Sequence, residues 1–242
     1  MKVALDSNLE RGKSPTAKAT VTVPAGDVKL RATVTDASIL SKGPCLEGVV
    51  LALEKPDAFV VDYHVLKRDC HFKFMNTISV LEKPLKLTYG HEWCKKGTDL
   101  QGTLELDEDN KVSADCTLGS KNNNKYKLKY TYNHKGLTKV SSSYEVISDS
   151  WDLAVSQKLL DIHTLEASYK ASDNNLGLGW ALASKHNGTF KTSYHTSSKI
   201  LGLKWLLASK PHGSFEINAS LNLGEKSRVP NVSAKTTFHL EI

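Results

Sequence analysis

Apolar and polar residues alternate one by one along nearly the whole chain. In residues 125–132, KYKLKYTY, every even-numbered residue is tyrosine or leucine and every odd-numbered residue except Thr131 is lysine. Because successive side chains of a strand point to opposite faces, this segment has one basic and one apolar face. The same period of two recurs between Val28 and Leu240, and no segment keeps helical spacing. The chain is therefore predicted to be all-β, with little or no helix. Residues 156–167 are the one candidate, for a single short helical turn.

Clusters of glycine, asparagine, aspartate and proline separate the alternating runs. Examples are residues 25–27 (AGD), 107–110 (DEDN) and 173–175 (DNN), all of which favour turns. Counting each run once predicts about 16 to 18 strands joined by short hairpins. Merging neighbouring weak runs lowers the count to about 12.

One internal repeat is clear. Residues 165–190 match residues 190–215, with Tyr169 equivalent to Tyr194 and Trp180 to Trp205. Each copy has the length of one hairpin, and an added hairpin keeps the strand number even. No linker or compositional break divides the chain. Residues 1–242 are therefore predicted to form a single domain that contains a duplicated hairpin unit.

The pattern favours a closed antiparallel transmembrane β-barrel. A ring of this many strands has an interior too wide for side chains to fill, and charges are tolerated on a water-filled interior. Trp151, Trp180 and Trp205 are predicted to be interfacial aromatic residues. The last strand, with Phe238 and Leu240 in one phase, is expected to close the ring against the first. The alternative is a soluble, lipocalin-like β-barrel that binds a lipid or other apolar ligand, with the apolar face inside.

Charged residues of the polar phase are predicted to line the lumen. Both signs occur among them, which predicts a wet passage of weak selectivity in which no single side chain is essential. The predicted pore-lining residues are Lys29, Arg31, Asp62, Lys73, Lys86, Glu105, Asp115, Lys127, Lys129, Asp152, Glu166, Lys204 and Glu216.

Other classes of function find little support. A net charge of +6 is compatible with nucleic acid, anionic membranes or anionic solutes. However, the lysines and tyrosines of residues 125–132 lie on opposite faces, so no nucleic-acid partner is predicted. The chain has no Walker loop, GxSxG elbow or HExxH motif, so neither catalysis nor a cofactor is expected. His91, Cys94 and Cys116 supply too few ligands for a zinc site.

The N-terminal segment MKVALDSNLERGKS lacks the apolar core and cleavage site of a secretory signal. No uncharged apolar run approaches the roughly 18 residues of a membrane-spanning helix. The four cysteines (Cys45, Cys70, Cys94, Cys116) form no CxxC pair, which predicts reduced thiols in a cytosol-facing protein.

Several segments together resemble the plastid outer envelope pore protein 24 family. They are spread in order over nearly the whole chain: AGDVKLRATVTDA (25–37), EKPDAFVVDYHVLKRDCHFKFMNT (54–77), EKPLKLTYGH (82–91), KLKYTY with HKGLT (127–138), SWDLAVS (150–156) and SYHTSSKILGLKW (193–205).

The resemblance implies a porin-type β-barrel in the plastid (chloroplast) outer envelope membrane, made without a cleavable targeting peptide. It implies a wide, high-conductance channel through which triose phosphates, phosphate, dicarboxylates, sugars, nucleotides and charged amino acids diffuse. Whether the barrel is a monomer or a homo-oligomer is left open. The family pattern has one copy of the hairpin unit where this chain has two, so a wider pore is expected. The slight cation preference of the family contrasts with the basic strand faces of this chain.

Overall fold

The first and last strands of the chain are hydrogen-bonded to each other and close one antiparallel sheet of 18 strands into a ring. The computed structural model describes residues 1–39, 46–119, 124–184, 188–209, 213–225 and 229–241. The closed all-β barrel predicted from the alternating pattern is confirmed, at the upper end of the predicted strand number. Cys45 lies outside the described residues.

The strands follow one another around the ring in chain order, and each pairs with the next. They are β1 Lys2–Glu10, β2 Thr16–Ala25, β3 Val28–Thr35, β4 Val50–Lys55, β5 Phe59–His64, β6 Asp69–Val80, β7 Lys83–Glu92, β8 Gly97–Glu105, β9 Asn110–Leu118, β10 Lys125–His134, β11 Thr138–Glu145, β12 Ser150–Leu159, β13 His163–Lys170, β14 Asn175–Ser184, β15 Gly188–His195, β16 Ile200–Ser209, β17 Gly213–Asn222 and β18 Asn231–Glu241.

The seam between β1 and β18 runs in register from Lys2 opposite Glu241 to Glu10 opposite Ser233. Closure removes the unpaired edges that an open sheet of this length would expose. We call the end of the barrel that carries Lys2 and Glu241 the terminal end, and the other the far end.

Helix is almost absent from the described residues: α1 spans Asp36–Ile39, and a single 3₁₀ turn spans Ala171–Asp173. The helical turn considered for residues 156–167 is wrong. Residues 156–159 complete β12, and His163 begins β13. Between them Leu160 and Asp161 have φ values of 50° and 59°. Left-handed residues in a short hairpin connection match the right-handed twist of the flanking strands, which is why the chain reverses here instead of coiling.

The two faces of the sheet are sharply different. On the apolar face, large side chains such as Leu128 (50% exposed) and Leu153 point away from any protein core, and the described residues contain no buried hydrophobic side chain. Among the described strand residues of this face, Lys55 and Lys83 are the only charged ones, and each is at the terminal position of its strand. This is the reverse of a soluble barrel, whose apolar side chains fill its interior. None of the described helices is long and apolar enough to cross a membrane.

Candidate functional site: the polar wall of the barrel

Every predicted pore-lining residue lies on the polar face. The assignment follows from the strand register, because residues opposite each other in neighbouring strands share a face. Arg31 lies opposite Ala52, which lies opposite Asp62, so all three share a face. Following the register in this way from strand to strand assigns a face to the paired residues of all 18 strands, including those at the seam. All thirteen side chains lie on the polar face, and their role in lining a pore stays a prediction.

Three ion pairs on this face reach over an intervening strand. They are Arg31 Nη2 with Asp62 Oδ1 at 3.4 Å, Lys127 Nζ with Asp152 Oδ2 at 3.3 Å, and Lys191 Nζ with Glu166 Oε2 at 2.6 Å. Such contacts are favoured on the concave side of a curved sheet, where side chains two strands apart converge. The polar face is therefore the inner wall of the ring.

A small residue lies beneath each of these three pairs. Ala52 of β4 separates Arg31 from Asp62, Ser143 of β11 lies opposite Asp152, and Gly179 of β14 lies opposite Glu166. A larger side chain at any of these positions would occupy the space that the ion pair crosses. The pairing of charges on the wall thus depends on uncharged residues that the sequence analysis did not single out.

Other charges pair between neighbouring strands. Glu105 accepts from both Lys86 and Lys111 at 3.0 Å, and Glu216 pairs with Lys204 at 2.9 Å. Each of these pairs is partly exposed, so each contributes little to stability. Their main effect is to keep the wall locally close to neutral.

Several charges have no ion-pair partner among the described residues. Lys29, Lys73 and Lys129 form no salt bridge there, and one carboxylate oxygen of Asp115, Oδ1, is buried without a hydrogen-bond partner. These side chains, unlike the paired ones, leave uncompensated charge on the inner wall.

Cavities follow the inner wall. One of about 480 Å³ lies against β5 to β9, where Asp62, Asp99 and Asp115 contribute to its lining. A second, of about 380 Å³, lies against β15 to β18 and β1, and a third, of about 450 Å³, lies against β11 to β15. Both are lined by Lys191 and Ser193.

The charges of the inner wall are divided unevenly between two groups of strands. The wall of β4 to β9 carries the carboxylates Glu54, Asp62, Asp69, Glu92, Asp99, Glu105 and Asp115 and the lysines Lys73, Lys86 and Lys111. The other twelve strands carry the basic residues Lys2, Lys18, Lys29, Arg31, Lys125, Lys127, Lys129, Lys139, Lys158, Lys170, Lys191, Lys204 and Lys235 and the carboxylates Asp6, Glu10, Glu145, Asp152, Glu166, Glu216 and Glu241.

The three predicted interfacial tryptophans lie on the apolar face, but not at equivalent depths. Trp151 is the second residue of β12, at the far end, whereas Trp180 and Trp205 are each sixth of ten residues in their strands. Their position in a membrane interface stays a prediction.

A row of six aromatic residues lies at the far end, and of these only Trp151 was predicted from the sequence to be interfacial. All lie on the apolar face at the second residue from that end of their strand: Tyr63, Tyr126, Tyr144, Trp151, Tyr169 and Tyr194. The hydroxyl of Tyr144 donates to Asp149 at 2.8 Å, and that of Tyr169 donates to Asn174 at 3.1 Å. Rings on the apolar face with hydroxyls bonded to turn residues suit a membrane interface, where one end of the side chain is apolar and the other is hydrated.

Ionisable groups in the turns have specific partners. A hydrogen bond from Lys55 lowers the pKa of Asp27, one from Asn110 lowers that of Asp107, and one from Lys170 lowers that of Asp173. At the far end, a hydrogen bond with Asp69 raises the pKa of the Cys94 thiol. Asp69 Oδ1 also accepts from the backbone N–H of Cys94 at 2.9 Å.

The described residues include no group of three His, Cys, Asp or Glu side chains arranged to hold a metal ion. His91 and Cys116 lie on the apolar face of different strands, and His91 Nδ1 is hydrogen-bonded to Thr98 at 2.9 Å. Cys70, Cys94 and Cys116 are free thiols.

The family model described as outer envelope pore protein 24 matches residues 1–193 and 189–241 of this chain. The chain belongs to the outer envelope pore protein 24 family. The two matches overlap over residues 189–193, and the two copies of the repeated hairpin meet within this overlap, at residue 190.

Relatives of the outer envelope pore protein 24 family cover the chain almost completely. The chain is 38% identical to outer envelope pore protein 24B, chloroplastic, from Arabidopsis thaliana over 218 residues, which is 90% of this chain and 88% of the relative. It is 32% identical to outer envelope pore protein 24, chloroplastic, from Oryza sativa subsp. japonica over 100% of both chains.

Comparison with solved structures shows which known fold the chain shares. The chain is similar to the outer membrane protein OprD from Pseudomonas aeruginosa, with a TM-score of 0.61 at 13% identity over 100% of this chain and 93% of that one. It is also similar to a mutant of the Rh. blastica porin, with a TM-score of 0.55 at 7% identity over 99% and 98% of the two chains. At these identities the likeness shows the fold alone, which is that of bacterial porins.

Proposed function

We propose that this protein forms a water-filled pore in the outer envelope membrane of plastids, through which small hydrophilic solutes diffuse. The observation that carries the proposal is the orientation of the two faces: a closed ring with apolar side chains outward and charged side chains on the inner wall. In hydrocarbon, only a helix or a closed barrel satisfies every backbone hydrogen-bonding group. Rings of 16 to 18 strands leave an aqueous channel.

The chemistry of the inner wall supports weak selectivity. Among the described residues most charges are locally paired, both signs are present, and no cluster of donors forms a dedicated binding site. Such a wall suits triose phosphates, phosphate, dicarboxylates, sugars, nucleotides and charged amino acids, the solutes that the family resemblance implies. The relatives named chloroplastic outer envelope pore proteins support the compartment. In this proposal the lipid bilayer covers the apolar face, and the far-end aromatic row lies at one of its surfaces.

Reconstitution tests the proposal directly. Protein refolded in detergent and added to planar bilayers is expected to give reproducible conductance steps. Replacing Lys127 and Lys129 by glutamate is expected to shift the reversal potential in a KCl gradient towards cations, because both side chains lie on the inner wall. Replacing the same lysines by arginine retains the charge and serves as the matched control. A monodisperse, detergent-free monomer that gives no conductance steps would instead support the soluble apolar-ligand carrier.

A further inference from the structure

The inner wall is divided by charge around the ring. Six consecutive strands, β4 to β9, carry seven carboxylates and three lysines on this face, a net charge of −4. The other twelve strands carry thirteen basic and seven acidic side chains, a net charge of +6. We call these parts of the wall the acidic sector and the basic sector. Because strand order follows the ring, the middle of the acidic sector, β6 and β7, faces β15 and β16 across the lumen.

The centre of the basic sector brings two like charges together. Lys191 of β15 and Lys204 of β16 lie directly opposite each other in the strand register. Like charges in this arrangement are destabilising. Here each lysine pairs with a carboxylate on the side away from the other lysine. Lys191 pairs with Glu166 at 2.6 Å, and Lys204 pairs with Glu216 at 2.9 Å. Away from this row, Lys29, Lys129 and Lys139 form no ion pair with any described residue, so the sector has unneutralised positive charge.

The acidic sector has the complementary property. Asp99 accepts a hydrogen bond from Thr117 at 2.7 Å but has no basic partner among the described residues. Asp115 Oδ1 is buried without a hydrogen-bond partner. Both aspartates border the cavity of about 480 Å³. Lys73, which also forms no ion pair with a described residue, lines the same cavity. Two unpaired aspartates and one unpaired lysine leave a net negative charge beside open space on this side of the lumen.

We propose that cations and anions pass through the pore along different sides of its wall, cations along the acidic sector and anions along the basic sector. The proposal rests on the pore function proposed above and deepens it. At physiological ionic strength a charge is screened beyond about 8 Å, and a ring of this size is wider than that. An ion near one sector therefore responds to that sector. The wall is charged, but the net negative charge of the acidic sector largely cancels the net positive charge of the basic sector. Selectivity of the whole pore is therefore weak.

Polyvalent ions of opposite sign separate this arrangement from a single shared pathway. In planar bilayers, the polyamine spermidine is expected to reduce cation current and shift the reversal potential towards anions. Substituting Asp99→Asn with Asp115→Asn is expected to raise the spermidine concentration for half effect by about tenfold. Substituting Lys129→Gln with Lys139→Gln is expected to leave that concentration unchanged. The conservative variant Asp99→Glu with Asp115→Glu retains the charge and is expected to restore the response.

Tripolyphosphate provides the reciprocal test, with the lysine variant losing the response and the aspartate variant keeping it. If both variants alter the spermidine response equally, one shared pathway is established and the inference is overturned, although the pore proposal stands. If no variant and no wild-type preparation conducts, the pore proposal itself fails. At high salt, where screening shortens to about 3 Å, both sector-specific effects are expected to disappear.

Discussion

Glu166 and Lys191 form an ion pair of 2.6 Å across the full width of β14, and the contact passes over Gly179. A Cβ atom added at Gly179 would lie 3.3 Å from both Cβ and Oε2 of Glu166. The ion pair therefore depends on a residue that carries no charge and no side chain.

Replacing Gly179 with valine is expected to separate Glu166 from Lys191. The freed amine should react faster with an N-hydroxysuccinimide ester, which mass spectrometry can quantify at Lys191. Because the pair is half exposed, the free energy of unfolding should fall by at most about 1 kcal/mol from loss of the ion pair itself. Gly102→Val is the matched control, since Gly102 lies on the apolar face and an added Cβ there meets nothing closer than 3.6 Å. An unchanged labelling rate at Lys191 in the Gly179 variant would show that the pair does not need this gap.

An arginine on the apolar face should cost far more than one on the inner wall. Leu128→Arg, near the middle of β10, is expected to destabilise the protein folded in lipid vesicles. The free energy of unfolding should fall by about 2–4 kcal/mol. Ser141→Arg, on the inner wall of β11 beside a cavity of about 450 Å³, should be close to wild type. Urea titration followed by tryptophan fluorescence measures both. Equal losses would contradict the assignment of the two faces.

The tryptophans should report two depths in the bilayer. In variants that keep a single tryptophan, Trp151 is expected to be quenched most strongly by lipids brominated near the headgroup, since it is the second residue of its strand. Trp180 and Trp205, each sixth of ten residues in its strand, should be quenched more by lipids brominated further down the acyl chain. The interfacial position predicted from the sequence would instead place them at the depth of Trp151. A common depth for all three would contradict the positions that the strands give them.

Removing the carboxylate of Asp69 should make Cys94 more reactive. The hydrogen bond with Asp69 raises the pKa of the Cys94 thiol, so less thiolate is present at a given pH. In Asp69→Asn the pH midpoint of maleimide labelling at Cys94 is expected to move to lower pH. Asp99→Asn, whose partner is Thr117, is the control and should leave the midpoint in place. A faster reaction with an unchanged midpoint would indicate altered access in place of altered acidity.

The alternating pattern was sufficient to predict the fold and the face of each strand residue. Leu128 and Lys127 point to opposite faces because the period of a strand is two. Which face is inside follows from the ion pairs that reach over a strand on the concave side of the sheet. The alternating pattern alone could not predict which charged side chains form ion pairs. Lys127 reaches Asp152 over β11, and this depends on the register of three strands and on the small side chain of Ser143.

Lys191 could have been predicted to line the lumen from the repeat. Glu166, Lys191 and Glu216 occupy equivalent positions at successive steps of 25 residues, so the charge alternates in sign from one step to the next. Two of these residues were predicted to line the lumen, and the one between them was missed. The five tyrosines of the far-end aromatic row were missed for another reason: they become equivalent only when the strand ends are known.

The seam between β1 and β18 has a consequence for biogenesis. The other neighbouring strands are joined by at most 14 residues, the longest connection being residues 36–49 between β3 and β4. Lys2 and Glu241, by contrast, meet across almost the entire chain. Bringing such distant segments together costs about 3 kcal/mol more loop-closure entropy than forming a hairpin. Before that step the open sheet has two edges of unpaired backbone N–H and C=O groups, which are costly to place in hydrocarbon. In the membrane barrel proposed above, both edges have to be shielded until β1 and β18 pair, so closure and entry into the bilayer are expected to be coupled.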